Sequence, residues 1–134
     1  MIARLFRRER DLRRDILIAT IYLLGGAGGR KVSMPEVMDA VKRIQEHLPL
    51  GYAFWDRFLY SPDLADDLRN LDPLYVRRII YQRDGCLPRY YFRLTAPGRD
   101  YARRVLEKLQ RDVVEIMGKT IKQHSEYPRG VTFP

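Results

Sequence analysis

The sequence predicts an α+β fold that is mostly helical, and three observations carry the prediction. Three amphipathic helical patterns precede residue 73. Two runs rich in β-branched and aromatic residues, Tyr75–Gln82 and Arg89–Leu94, flank the turn signal Asp84-Gly85. A long helical pattern follows Thr95. Helices, hairpin and helix in that order make a winged helix: a three-helix core, a β-hairpin wing and a long C-terminal helix. On this reading residues 1–14 are a basic arm or helix start and 15–97 the winged-helix domain. Residues 98–122 are then the long helix and 123–134 a tail. A length of 134 residues suits one domain and a core without disulfide or metal staples.

The first helix spans Arg7 to about Leu24. Leu12, Ile16, Ala19 and Leu23 share a face that Leu17, Ile21 and Leu24 widen, as a central core helix requires. Met1–Arg14 carries six Arg against Glu9 and Asp11, and reads either as a phosphate-binding arm or as a solvated helix end. Ile16–Gly29 resembles the apolar region of a signal peptide. Acidic residues interrupt the basic stretch before it, however, and it is too short to span a bilayer. The glycine-rich Gly25–Gly29 ends the helix. It lacks the P-loop spacing and follows a helix rather than a strand.

Ser33-Met34-Pro35-Glu36 is a capping box, with Val32 and Val37 placed as its hydrophobic staple. The second helix runs from there to about His47. Arg30 and Lys31 precede its positive end, an arrangement suited to phosphate. Leu50–Tyr60 is aromatic and partly extended; most of it is expected in the core, and an exposed subset would mark a partner surface. Ser61-Pro62-Asp63 starts the third helix. Leu64, Leu68 and Leu71 face inward, and Asp63, Asp66 and Asp67 outward. Thr95 caps the last helix, where Ala102, Leu106, Leu109, Val113, Ile116 and Thr120 recur at heptad spacing. The distal half has no evident partner in the chain, so Leu106, Leu109, Val113 and Ile116 are read as a homodimer seam, with a fold-back onto the first helix as the alternative.

Two stretches resemble known families. FRLTAPGRDYA, Phe92 to Ala102, is similar to the wing-to-helix junction of PadR-like and MarR-like regulators. Leu94 points inward there, Thr95 caps, and Gly98 lets the helix start lie against the wing. FLYSPDLADDLRNL, Phe58 to Leu71, is similar to a stretch of YwgA-like and SocA-like (Panacea) proteins, although the Gly-Pro step of that pattern is missing. The resemblances imply a winged helix that is either a DNA-binding regulator or, as in the Panacea group, a protein-binding module.

Net charge is +8, with 20 Arg and 5 Lys, which favours a polyanionic partner. The Arg excess suits bidentate phosphate contact. With one Asn (Asn70) and one Cys (Cys86), it also fits a heat-adapted or GC-rich source. The charge is unevenly spread. Ser33–Pro73 has four basic against eight acidic residues, whereas Tyr75–Arg104 has eight basic against two acidic. A winged helix usually places its third helix in the major groove. Carboxylates there would meet phosphate, which repels them.

Two functions follow from this distribution. The first is a DNA-binding transcriptional regulator that grips double-stranded DNA through wing and arm: Arg77, Arg78, Arg83, Arg89, Arg30, Lys31, Arg7 and Arg8. The second is an interaction module whose Asp63, Asp66 and Asp67 meet a basic protein partner. Catalysis is not expected. His47 and His124 lie in no metal or nucleophile motif, and Cys86 has no neighbouring His. The adjacent Asp66 and Asp67 diverge on a helix. A lone Cys leaves no disulfide framework or Cys-rich zinc site. No cofactor, metal or membrane is expected, and the expected location is the cytoplasm.

Overall fold

The computed structural model describes residues 9–27 and 29–125. Arg7 and Arg8 of the basic arm, and residues 126–134 of the tail, lie outside the described residues. Those described form an α+β fold of five helices and one three-stranded antiparallel sheet. The order is α1 (Glu9–Leu24), β1 (Val32–Ser33), α2 (Met34–Ile44), α3 (Pro62–Leu71), β2 (Val76–Tyr81), β3 (Arg89–Leu94), α4 (Ala96–Lys108) and α5 (Arg111–Ser125). The sheet order is β1-β3-β2, which makes β3 the central strand.

Helix α1 is the centre of the core. Six consecutive residues, Ile16 to Ile21, are buried, so its middle is covered on every side. The one hydroxyl among them, Thr20, donates to the Ile16 carbonyl at 2.6 Å and leaves no polar group unsatisfied there. α1 packs on α4, α2, α5 and β3.

The helix starts form as the sequence predicts. Ser33 Oγ accepts from the Glu36 amide at 3.2 Å, Ser61 Oγ from Leu64 at 3.3 Å, and Thr95 Oγ1 from Gly98 at 3.0 Å. α2 is shorter than expected and ends at Ile44, with Gln45 as its C-cap. The two residues Val32–Ser33 also form β1, which escaped the sequence reading because a two-residue strand has no period to detect.

The hairpin matches its predicted limits to within a residue or two. Cys86 donates to the Arg83 carbonyl at 3.0 Å across Asp84-Gly85, and Gly85 takes φ +78°, where glycine is favoured. The hairpin joins α4 through an unusually close approach. Thr95 Oγ1 donates to the Leu74 carbonyl at 2.6 Å, and its amide donates to the Tyr75 carbonyl at 3.0 Å. A Cβ on Gly98 would lie 1.9 Å from the Tyr75 oxygen, so only glycine fits this junction.

The single long C-terminal helix is corrected. It divides at Leu109, whose φ −66° and ψ 147° are extended, and α5 turns back onto α2 and α1. The balance of terms explains the break. Interrupting a helix forgoes a few backbone hydrogen bonds, about 1 kcal/mol net each. Burying Met117 alone returns about 1.5–3 kcal/mol, and it is fully buried here. Leu106, Leu109 and Val113 are half-buried against the same core. The heptad spacing presumed one straight helix, which the break at Leu109 interrupts. The packing of α5 on α2 and α1 is the fold-back alternative of the sequence.

Candidate nucleic-acid interface

Strand register sorts the hairpin side chains between two faces. Val76 pairs with Leu94, and Arg78 and Val32 both stand opposite Phe92. Val76, Leu94, Phe92 and Val32 are buried, so this face covers the core. The alternate residues point the other way. There Arg77 stands directly opposite Arg93, Ile79 and Ser33 opposite Tyr91, and Tyr81 opposite Arg89. Both arginines of the first pair are exposed.

Lys31 belongs to this outer face. Its Nζ donates to Tyr81 Oη at 2.7 Å and lies 4.3 Å from the Tyr81 ring centroid and 5.0 Å from that of Tyr91. The two rings meet edge to face at 5.3 Å. Lys31 is thus held over an aromatic pair. Arg93 Nη2 reaches the Gly29 carbonyl at 3.4 Å. Arg93 and Arg77 form a cross-strand pair of cations, and Lys31, over Tyr81 and Tyr91, and Arg89, opposite Tyr81, continue the face towards the loop. Among the described residues none of these four has a carboxylate within ion-pairing distance.

The predicted contact residues separate accordingly. Arg77, Arg89 and Lys31 lie on the outer face, and Arg83 is exposed in the connecting loop. Arg78 lies on the opposite face, 5.8 Å from the Tyr90 ring centroid. Arg30 is used in the structure: it donates to the Leu24 carbonyl at 2.8 Å and approaches Glu36 at 3.9 Å. Arg30 and Lys31 therefore do not form a joint anion site before α2. Arg93, Tyr81 and Tyr91 were missed. The signal was present, since Arg77 and Arg93 each adjoin a buried residue, Val76 and Leu94, at the base of the hairpin.

The acidic helix behaves differently. Asp67 is half-buried, not turned out to solvent, because Tyr52 Oη donates to its Oδ2 at 2.7 Å and Arg13 Nη2 at 3.2 Å. The Arg13 guanidinium also lies 4.0 Å from the Tyr52 ring centroid. Burial first, then the bond to Asp67, pushes the Tyr52 phenol far above its usual range. Burial opposes the Arg13 charge, but Tyr52 and Asp67 outweigh it and hold its pKa above the usual value. Asp66 pairs with Arg69 at 3.0 Å on the surface. Asp63 and Asp66 are exposed as expected, and Asp67 alone is drawn in.

Of the aromatic segment before α3, Tyr52 is buried, while Trp55 and Phe58 are 53% and 67% exposed. Trp55 packs on Tyr60 at 4.8 Å and on Phe58 at 6.4 Å. Among the described residues no group of three His, Cys, Asp or Glu side chains is placed to hold a metal. No described helix is long and apolar enough to cross a membrane. Comparison with known proteins finds no matching family model, no matching curated protein and no matching solved structure.

Proposed function

We propose that the chain is a winged-helix protein that binds duplex DNA through the outer face and loop of its β2–β3 hairpin, and that it acts as a transcriptional regulator. The element order α1-β1-α2-α3-β2-β3 and the sheet order β1-β3-β2 support the winged-helix reading. One observation carries the DNA reading. Lys31, Arg77, Arg93 and Arg89 share one exposed face without a carboxylate partner among the described residues. Elsewhere ion pairs do form among the described residues: Asp39 with Arg43, Asp66 with Arg69, Asp67 with Arg13, Asp100 with Arg103. Four cations gathered on one exposed face suit an external polyanion. The half-buried Asp67 and the paired Asp66 spare α3 much of its repulsion from phosphate, but supply no attraction.

Fluorescence anisotropy with random-sequence duplex DNA over a salt series tests the proposal. Binding at low salt that weakens steeply and linearly with log salt is expected. A second reading, a protein-interaction module, is favoured by the exposed Trp55 and Phe58 next to α3. Absence of DNA binding at low salt would leave that reading and remove the first.

A further inference from the structure

The cross-strand pair Arg77 and Arg93 invites an explanation. Directly opposite residues have Cβ atoms about 4.5–5.5 Å apart, and like charges there destabilise a sheet. A charge on an edge strand has an ordinary purpose, since it blocks pairing with other chains. That purpose covers Arg77, because β2 is an edge. It fits Arg93 less well, because β3 lies between β1 and β2 and β1 pairs with it at the neighbouring Phe92 and Tyr91. Lys31 adds a third positive charge to the same face, and no described carboxylate relieves the pair. Guanidinium groups present forked donors that match the oxygens of a phosphate, and either side chain is long enough to span the gap.

We infer that Arg77 and Arg93 grip one backbone phosphate between them, as a two-arginine clamp across the sheet. The inference rests on the DNA-binding reading and assigns its anchoring point. The repulsion within the pair is the cost of the clamp in the free protein, and the phosphate removes it on binding. The paired arginines therefore weaken the fold and strengthen the complex. A pair without a phosphate ligand would do only the first.

A double-mutant cycle on duplex DNA reads this directly. Arg77→Gln and Arg93→Gln are each expected to weaken binding about tenfold. With one shared phosphate the double variant loses little more, rather than about a hundredfold. The slope of log affinity against log salt falls by about 0.9 in either single variant and by no more in the double. Arg78→Gln, on the other face, is the control and leaves the coupling between the two arginines unchanged. In free protein at low salt, Arg77→Gln raises Tm, and added salt shrinks that gain by screening the repulsion. Full additivity of the two losses, unchanged affinity, or a lowered Tm for Arg77→Gln would overturn the clamp while leaving DNA binding in place. If the wild type binds no DNA, inorganic phosphate decides the clamp alone. A phosphate-specific rise in Tm, measured against chloride of equal ionic strength and lost in Arg77→Gln, sustains it. Equal effects in both proteins refute it.

Discussion

Helix α3 and the β2–β3 hairpin carry opposite charges, and they treat them in opposite ways. On α3, Asp67 is tied to Tyr52 and Arg13, and Asp66 to Arg69. On the outer face of the hairpin, Arg77, Arg89 and Arg93 meet no described carboxylate. Asp67 ties α1, the aromatic segment and α3 together, and Asp66 is paired within α3 itself. The basic charge remains available. Raw charge counts pointed to both regions as candidate interfaces. Partnering separates them, because a charge already satisfied within the fold has less to gain from a ligand.

If that separation is right, changes that damage the fold and changes that damage binding fall on different residues. The largest fold effect is expected at Gly98, where the hairpin meets α4. Gly98→Ala drives a methyl group into the Tyr75 carbonyl and is expected to destabilise by about 3 kcal/mol or more, beyond ordinary overpacking because backbone must move. Thermal or denaturant unfolding measures it.

Next comes Asp67→Ala, which leaves the buried Tyr52 hydroxyl and Arg13 without their acceptor. A loss of about 1–3 kcal/mol is expected in denaturant unfolding. DNA affinity of the folded fraction should be unchanged or slightly higher. A marked loss of affinity at full folding would break the comparison.

These two positions also mark what sequence could and could not supply. Gly98 was legible because a helix cap and a strand end adjoin it in the chain. The capping serines, the hairpin limits and the central apolar helix were legible for the same reason: local chemistry decides them. Asp67 was misjudged because its partners lie 15 and 54 residues away. A helical wheel assigns a face but cannot see a tyrosine brought to it by a loop. The break at Leu109 was hidden likewise. No proline or glycine marks it, and tertiary burial of Met117 overrides a helical pattern that is locally continuous. At the candidate interface the register was recoverable from strand alternation, whereas the position of Lys31 over Tyr81 and Tyr91 depends on the unforeseen β1.

A smaller effect is expected from pH. The Tyr52 phenol is held above its usual pKa, so the folded chain keeps a proton that an unfolded tyrosine releases near pH 10. The unfolded state then gains as pH rises, and stability falls from about pH 10 upward. Tyr101 is raised as well, chiefly by burial and then by its bond to Asp15, so the difference between proteins is the useful quantity. The stability advantage of wild type over Tyr52→Phe should shrink across that window in unfolding experiments. An advantage that stays constant would remove the Tyr52–Asp67 bond from the account. The smallest effect is expected at Asp66→Ala, whose surface pair with Arg69 is worth at most about 0.5 kcal/mol. Neither stability nor DNA affinity should fall measurably.

The central claim is spatial: the hairpin face, not α3, meets DNA. Amide and side-chain NMR shifts recorded while titrating a duplex test it most directly. Shifts concentrated at Lys31, Arg77, Tyr81, Arg89, Tyr91 and Arg93, with residues 63–70 nearly still, are the expected result. Shifts concentrated on residues 63–70 with an unperturbed sheet face would contradict the account.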